Sequence, residues 1–395
     1  LLRGKFNRPV NAGFIWNTLT TALDPTLPPA LDYASQVINT AAHEWGFPYL
    51  KLDFLYAAAL PGHHHDPTKT RAQALRLGLQ ALREAAGPET FLLGCGCPLG
   101  TGIGIFEAMR IGADVAPFWH PQFFGTEFFF KPEPDMPSAR NAIQNSLARA
   151  PLHRRWWLND PDCLLVRQTQ LTLPEIHSLA TVIALSGGLL LLSDDLPSLP
   201  PERLALLHSL FPPTGKTPHT LDWLDSTTPA RLRLDLDGAC GPWHVLAFFN
   251  WQETQKITAL NLNDFRLDPQ EKWIVREFWS NTVFPPAARA EVFLPAHGAA
   301  LFAVRRLDPA RPAYVGSNLH FSQGLELSAW QPSSDGLSLR LVRPGRAQGI
   351  IDLYLPRLPR NAQIDEKPVT WQEIAKGCYR LSVTFQQQTE LTVDF

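Results

Sequence analysis

The sequence predicts an α/β fold, part of a (β/α)8 TIM-type barrel (about strands 4–8) followed by a C-terminal antiparallel β-sandwich. Three observations carry this. From about residue 30 to 212, short runs apolar on both faces alternate with helical segments, as parallel β/α units require. Each run ends in polar residues, as strands do where their loops form the active face of a barrel. After Pro212 the texture changes to polar–apolar alternation between turn residues, the mark of half-buried antiparallel strands.

The elements follow in order. The opening residues, LLRGKFNRPVNAG, lack an initiator methionine and read as neither signal peptide nor helix start, so a piece of a longer protein is expected. ALDYASQVINTAAHEWG has helical spacing and a glycine stop. PYLKLDFLY reads as a buried strand, TKTRAQALRLGLQALREAAG as a second helix and ETFLLGC as a second strand. EAMRIGADV is strand-like, PSARNAIQNSLARA helical and RRWWLND a short strand. TLPEIHSLATVIALSGG, GLLLLSDDL and PPERLALLHSLF then read as helix, strand and helix. These units fall short of the eight that close a barrel, so the opening residues are expected to follow a third strand outside this sequence. The catalytic portion is expected over residues 1–212. The β-sandwich region is expected over 213–395, with a seam between two units near residue 308, where LDPARPAYVG clusters prolines.

Bulk properties exclude some partners. The chain has 395 residues, 45% hydrophobic and 18% charged, with a formal net charge of −2. Near-neutral charge gives no electrostatic reason to expect nucleic acid or an anionic membrane. No apolar run approaches the length of a membrane-spanning helix. Five cysteines are few and odd in number, which reads as reduced thiols of an intracellular, cytoplasmic protein. His63, His64 and His65 lie in a Pro-Gly-bounded loop. With no second cluster of spaced ligands they read as a solvated turn rather than a metal site.

Several stretches carry residues suited to chemistry. Lys51 and Asp53 lie two apart in one strand and so share a side, toward the expected barrel interior. They fit a satisfied buried ion pair equally well as a nucleophile kept ionised by a cation. Arg110 and Asp114 repeat the pattern, with Trp119 five residues on. Two inward aspartates on different strands suit a paired-carboxylate glycosidase, and an indole ring suits the apolar face of a sugar. LLGCGCPLG reads as small residues in a tight loop, since two cysteines so close rarely meet disulfide geometry. Asn159, Asp160 and Asp162 read as turn formers around a proline, and Ser193, Asp194 and Asp195 as a cap for the next helix.

Taken together, YLKLDF, CGCPL, RIGADVAPFW, NDPDCLLVR and SGGLLLLSDDL resemble, in that order, the clan D α-galactosidases, glycoside hydrolase family 36 above all and family 27 more distantly. The likeness runs over roughly residues 45–200. It implies Asp53 as nucleophile and Asp114 as acid/base. It also implies Lys51 and Arg110 at sugar hydroxyls, and Cys95, Gly96, Trp119 and Trp16 at the substrate. Gly96 stands where family 27 α-galactosidases carry a bulky Glu and their N-acetylgalactosaminidase relatives a small Ser. The family's N-terminal domain and first three barrel strands find no match here.

The resemblance implies a retaining α-galactosidase acting on an α-galactoside or oligosaccharide, needing no cofactor or metal, with a homo-oligomer and a secreted form left open. The alternatives are an α-N-acetylgalactosaminidase, a raffinose-synthase-like transglycosylase, and an inactive sugar-binding or structural fragment.

Overall fold

The structure is a computed structural model of the 395-residue chain that describes residues 1–13, 20–122, 133–286 and 290–395. Its contacts divide it into two units. One comprises Leu1–Gly112 with Leu152–Asp162, the other Ala113–Pro151 with Cys163–Phe395.

The first unit is a parallel sheet with helical crossovers. Strands β1 (Tyr49–Leu52), β2 (Phe91–Gly94), β3 (Ala108–Arg110) and β4 (Leu158–Asp160) lie side by side in that order, all parallel. Helix α1 (Pro28–Asn39) starts on prolines, which suit a first turn whose N–H groups need no partner. A π-turn over Thr40–Glu44 then carries the chain to Gly46, whose φ of 72° ends the helical run. Helix α2 (Arg71–Ala86) opens with a capping box between Thr70 and Gln73 and stops at Gly87, again at φ 72°. Its buried Leu75 and Leu79 pack with Leu92, Phe106, Met109 and Trp157, each leucine contributing about 1.5–3 kcal/mol by leaving water. A four-residue helix, α3 (Leu99–Gly102), lies between β2 and β3 and gives no period in the sequence.

PYLKLDFLY does not form the buried strand expected. Tyr49 and Lys51 are exposed because β1 is the edge of its sheet, paired only with β2.

The second unit holds α4 (Ala139–Arg149), α5 (Leu173–Ser186), α6 (Pro201–Leu210) and a short parallel pair, β5 (Cys163–Leu164) with β6 (Leu191–Leu192). Helix α5 is apolar nearly all round and buried from Ile176 to Ser186, as a helix enclosed by protein must be. Its core is shared with Leu232, Leu234, Trp243 and Val245 of the antiparallel sheets that follow.

Those sheets begin with β7 (His219–Thr220), β8 (Arg231–Gly238), β9 (Gly241–Phe249) and β10 (Lys256–Ala259). Next come β11 (Trp273–Glu277), β12 (Val283–Phe284), β13 (Glu291–Leu294) and β14 (Ala299–Arg306). Six of these pair in the order β12-β11-β14-β9-β8-β7, while β10 pairs with β13. A separate seven-stranded sheet comprises β15 (Ala313–Ser317), β16 (Leu327–Pro332), β17 (Gly336–Tyr354), β18 (Asn361–Ile364), β19 (Lys367–Pro368), β20 (Trp371–Ala375) and β21 (Cys378–Asp394), with β17 and β21 antiparallel along their length. From the sequence, LSLRLVRP and GIIDLYLPR read as two strands. They form one, because the Pro344-Gly345 break is absorbed as a register shift between Val342 and Arg346 rather than a turn. The chain thus runs from a parallel α/β region, partly barrel-like, into antiparallel sheets.

Candidate active site

Backbone register assembles a row of polar side chains at the carboxyl end of the first unit's sheet. Leu52 lies opposite Gly94, Gly94 opposite Met109, and Met109 opposite Asn159. One residue further along each strand come Asp53, Cys95, Arg110 and Asp160, the last two a register pair themselves. Cys95 N–H donates to the Leu52 carbonyl at 2.8 Å and Ile111 N–H to the Asp160 carbonyl at 3.0 Å, so the ladder continues through this level. Side chains at equal height on neighbouring parallel strands share a face. Lys51, two residues before Asp53, lies on the same side.

Asp53 is exposed just past the end of β1. Its Oδ1 accepts the Phe54 N–H at 2.7 Å, with Phe54 held in the left-handed region at φ 54°. The Cys95 thiol donates to the same carboxylate. Burial, and then Asp53, push that thiol up to about 12, against the opposing pull of Arg110 and Lys51. Cys95 is therefore a neutral donor here, not a thiolate. The two strand-end loops are tied together by Tyr56 N–H donating to the Gly96 carbonyl at 2.7 Å. Gly96 has φ 54°, and a Cβ there would sit 3.2 Å from Phe54 N and 3.5 Å from Asp53 Oδ1. Only glycine lets the two loops approach this closely without strain.

Lys51 and Asp53 are both exposed, and no ion pair joins them among the described contacts, so the buried pair considered from the sequence does not form. Among the described residues of this row, the buried ion pairs are those of Arg110. Its Nε donates to Asp160 Oδ2 at 3.2 Å and its Nη2 reaches Asp162 Oδ1 at 2.6 Å. Asp160 is fully buried, and its Oδ1 also accepts the Asp162 N–H at 2.9 Å. Reading Asp160 and Asp162 as turn formers missed this. The Asp-Pro-Asp turn, with Asp162 at φ 76°, aims two carboxylates at one guanidinium. The signal in the sequence was two acids spaced around a proline on the strand next to an arginine-bearing one.

EAMRIGADV is a strand only over Ala108–Arg110, so Arg110 and Asp114 do not share a strand face. The chain leaves the ladder at Gly112 and passes from the first unit to the second. Asp114 is exposed, and its carbonyl accepts the N–H of Ser138, the cap residue of α4, at 3.1 Å. Asp53 belongs to one unit and Asp114 to the other. Trp119 is 8% exposed, stacked on His297 at 4.2 Å between centroids and lying 6.4 Å from Trp251. His297 in turn meets Glu175 through Nδ1 at 2.7 Å and Glu253 through Nε2 at 3.1 Å. Trp16 lies outside the described residues.

Two other motifs take structural roles. His63 and His65 are exposed, as the solvated-turn reading expects, but the His64 side chain is turned inward. Buried Asp24 holds the loop, its Oδ1 3.1 Å from His64 Nδ1 and its Oδ2 accepting the His65 N–H at 2.6 Å. Among the described residues no group of three or more His, Cys, Asp or Glu could hold a metal. Asp194 does not cap the following helix but bridges back to β5, accepting the Val166 N–H at 2.6 Å and pairing with Arg167 at 2.5 Å. All five cysteines are free. Among the described residues no helix is long and apolar enough to cross a membrane.

No family model matches the chain. Among solved structures it is similar to the α-galactosidase of Thermus thermophilus in complex with stachyose, at 34% identity and a TM-score of 0.45 over 53% of this chain and 44% of that one. The chain thus spans less than half the length of that protein. It is also similar to α-galactosidase I of Mortierella vinacea, at 17% identity and a TM-score of 0.52, covering 70% of this chain and 72% of that one. A GH27 β-L-arabinopyranosidase of Geobacillus stearothermophilus matches at 15% identity and a TM-score of 0.50, covering 75% of this chain and 66% of that one. The likeness to the Mortierella and Geobacillus structures is one of fold.

Proposed function

We propose that the chain carries the catalytic residues of a retaining α-glycosidase that hydrolyses terminal α-galactosides, with Asp53 as nucleophile and Asp114 as acid/base. The observation that carries the reading is the presentation of Asp53. It stands exposed at the carboxyl end of a parallel strand, aligned by the Phe54 N–H and the Cys95 thiol, at the level of buried, cationic Arg110. A carboxylate so placed is oriented without being neutralised, which a nucleophile requires. The motif resemblance, and the names of the structures the chain is similar to, supply the sugar class.

In the first step an Asp53 oxygen attacks the anomeric carbon while Asp114 gives its proton to the departing glycosidic oxygen. The C–O bond to the leaving group breaks as the ester to Asp53 forms. In the second, Asp114 takes a proton from water, the water oxygen attacks the same carbon, and Asp53 leaves as carboxylate. Retention requires the two carboxyl groups roughly 5–5.5 Å apart in the working enzyme. Lys51, Arg110, Cys95, Gly96, Trp119 and Trp16 are proposed at the substrate. The test is Asp53→Ala assayed on 4-nitrophenyl α-galactoside, where turnover is expected to vanish and azide to restore it as the β-configured glycosyl azide. Wild-type turnover by that variant removes the assignment.

Gly96 favours a second reading. Gly96 puts no side chain beside Asp53, where family 27 α-galactosidases carry a bulky Glu and their N-acetylgalactosaminidase relatives a small Ser, as a 2-acetamido group on the sugar needs. Parallel assays with the nitrophenyl α-glycosides of galactose and N-acetylgalactosamine decide between them.

A further inference from the structure

The second unit contains a cavity of about 360 Å³ to which neither proposed catalytic carboxylate contributes. Its walls are the first turn of α4, the loop before β8 and the loop between β9 and β10. Arg140, Ser226, Thr227, Thr228, Gln252 and Lys256 supply its polar lining, and Trp119 and Trp251 are among its apolar walls.

The charge balance of this cavity is one-sided. Its described lining includes two cations and no carboxylate. Neither Arg140 nor Lys256 makes an ion pair among the described contacts. Some cations elsewhere in the unit find acids, as Arg231 does with Asp222, Asp225 and Asp264, and Arg167 with Asp194. The Lys256 ammonium lies 4.8 Å from the Phe248 ring centroid, a weak substitute for a counter-charge, and burial holds its pKa below the usual lysine range. Both cations are partly buried, and an anion in the cavity offsets the charge they bring to its lining.

The size and walls restrict which anion. Volumes of about 300 Å³ and above are those of small-molecule sites rather than of single-ion sites. Trp251 is stacked on Phe249 at 4.7 Å, so the aromatic wall is rigid before any ligand arrives. Two cations match the charge of about −1.5 to −2 that a phosphomonoester carries near neutral pH, better than they match a single carboxylate. A guanidinium grips such a group in bidentate fashion, and the threonine hydroxyls satisfy its remaining oxygens.

We propose that this cavity binds a small phosphorylated organic molecule, its phosphate held by Arg140 and Lys256 and its organic body against Trp119 and Trp251. The site requires neither Asp53 nor Asp114, although Trp119 is common to it and to the proposed substrate contacts.

Isothermal titration calorimetry on the full chain tests it, using galactose 6-phosphate, inorganic phosphate and galactose as probes. The phosphate ester is expected to bind at least about tenfold tighter than inorganic phosphate, and galactose neither to bind here nor to displace the ester. Arg140→Gln and Lys256→Gln are each expected to weaken the ester about tenfold or more, as loss of a charged hydrogen bond does. Arg140→Lys, which keeps the charge but not the bidentate grip, is expected to lose clearly less affinity than Arg140→Gln and so separates loss of charge from loss of fold. Any of three results overturns the proposal. The ester fails to bind, it binds undiminished to the double variant, or galactose displaces it.

Discussion

Arg110 holds Asp162 at 2.6 Å with one nitrogen and Asp160 at 3.2 Å with another, and all three side chains are largely shielded from water. A guanidinium buried this way is tolerated because two carboxylates offset the loss of hydration. Removing Asp160 leaves Arg110 balanced by Asp162 but takes the acceptor from two buried donors, Arg110 Nε and the Asp162 N–H. Asp160→Ala is expected to cost about 2–3 kcal/mol of stability, measured by urea denaturation. Asp162→Ala, at the better exposed end, is expected to cost less. A loss under about 1 kcal/mol for Asp160→Ala shows that the clamp does not hold the sheet end.

Cys95 yields a chemical prediction. With its thiol pushed up to about 12, it carries almost no thiolate at pH 8 and donates to Asp53. In the folded protein at that pH, iodoacetamide is expected to leave Cys95 unmodified and to label it after denaturation, as read by mass spectrometry of its peptide. Labelling at the rate of an unfolded cysteine contradicts the buried-donor role.

Acid sensitivity follows from two buried histidines. Burial carries both His177 and His320 down to about 4 from an ordinary value of 6.5. A histidine whose folded pKa lies below its unfolded one takes up its proton more readily when the chain is open. Unfolding is therefore favoured as pH falls from 6.5 toward 4, and each residue contributes about 3 kcal/mol to that loss across the window. Glu175 acts in the same direction at lower pH. Burial alone would raise it, but the His297 and Thr172 hydrogen bonds prevail and hold it low, so its stabilisation is lost as pH falls through its folded value. Denaturation midpoints are expected to drop steeply between pH 7 and 5, and His177→Phe, which keeps the stack on Trp279, is expected to flatten the slope. A flat profile in the wild type rules this out.

Gly187 ends α5 at φ 69°, and a Cβ built there lies far inside van der Waals contact of the Lys216 carbonyl oxygen. Gly187→Ala has to move backbone as well as accept a left-handed conformation. It is expected to lose more than about 2 kcal/mol by thermal or urea unfolding. Gly241→Ala, at φ 82° with nothing near its Cβ, provides the strain-only control and is expected to lose about 1 kcal/mol.

Much of the architecture is legible from local chemistry. The glycine stops after α2 and α5 and the capping residues Thr70 and Thr172 mark helix ends because they satisfy orphan backbone groups whatever the tertiary context. The row at the sheet's end is legible in part. Asp53 and Arg110 stand out as charges in apolar runs, whereas Asp160 and Asp162 look like any turn because their partner lies on a neighbouring strand, fifty residues distant from Asp160. The placement of Trp119 among His297 and Trp251 is illegible for the same reason, since nothing local records which distant loop a ring packs against. Pro344-Gly345 misleads in the opposite sense, because its turn chemistry is real but β21 bends with it.

The row Asp53, Cys95, Arg110, Asp160 is set by the strand ladder, not by the shape of any connecting segment. Neighbours in such a ladder stand about 4.8 Å apart whatever lies beyond them. Evolution can therefore lengthen, trim or exchange the connections above this sheet, and so change what surrounds these side chains, without disturbing the charge pattern beneath.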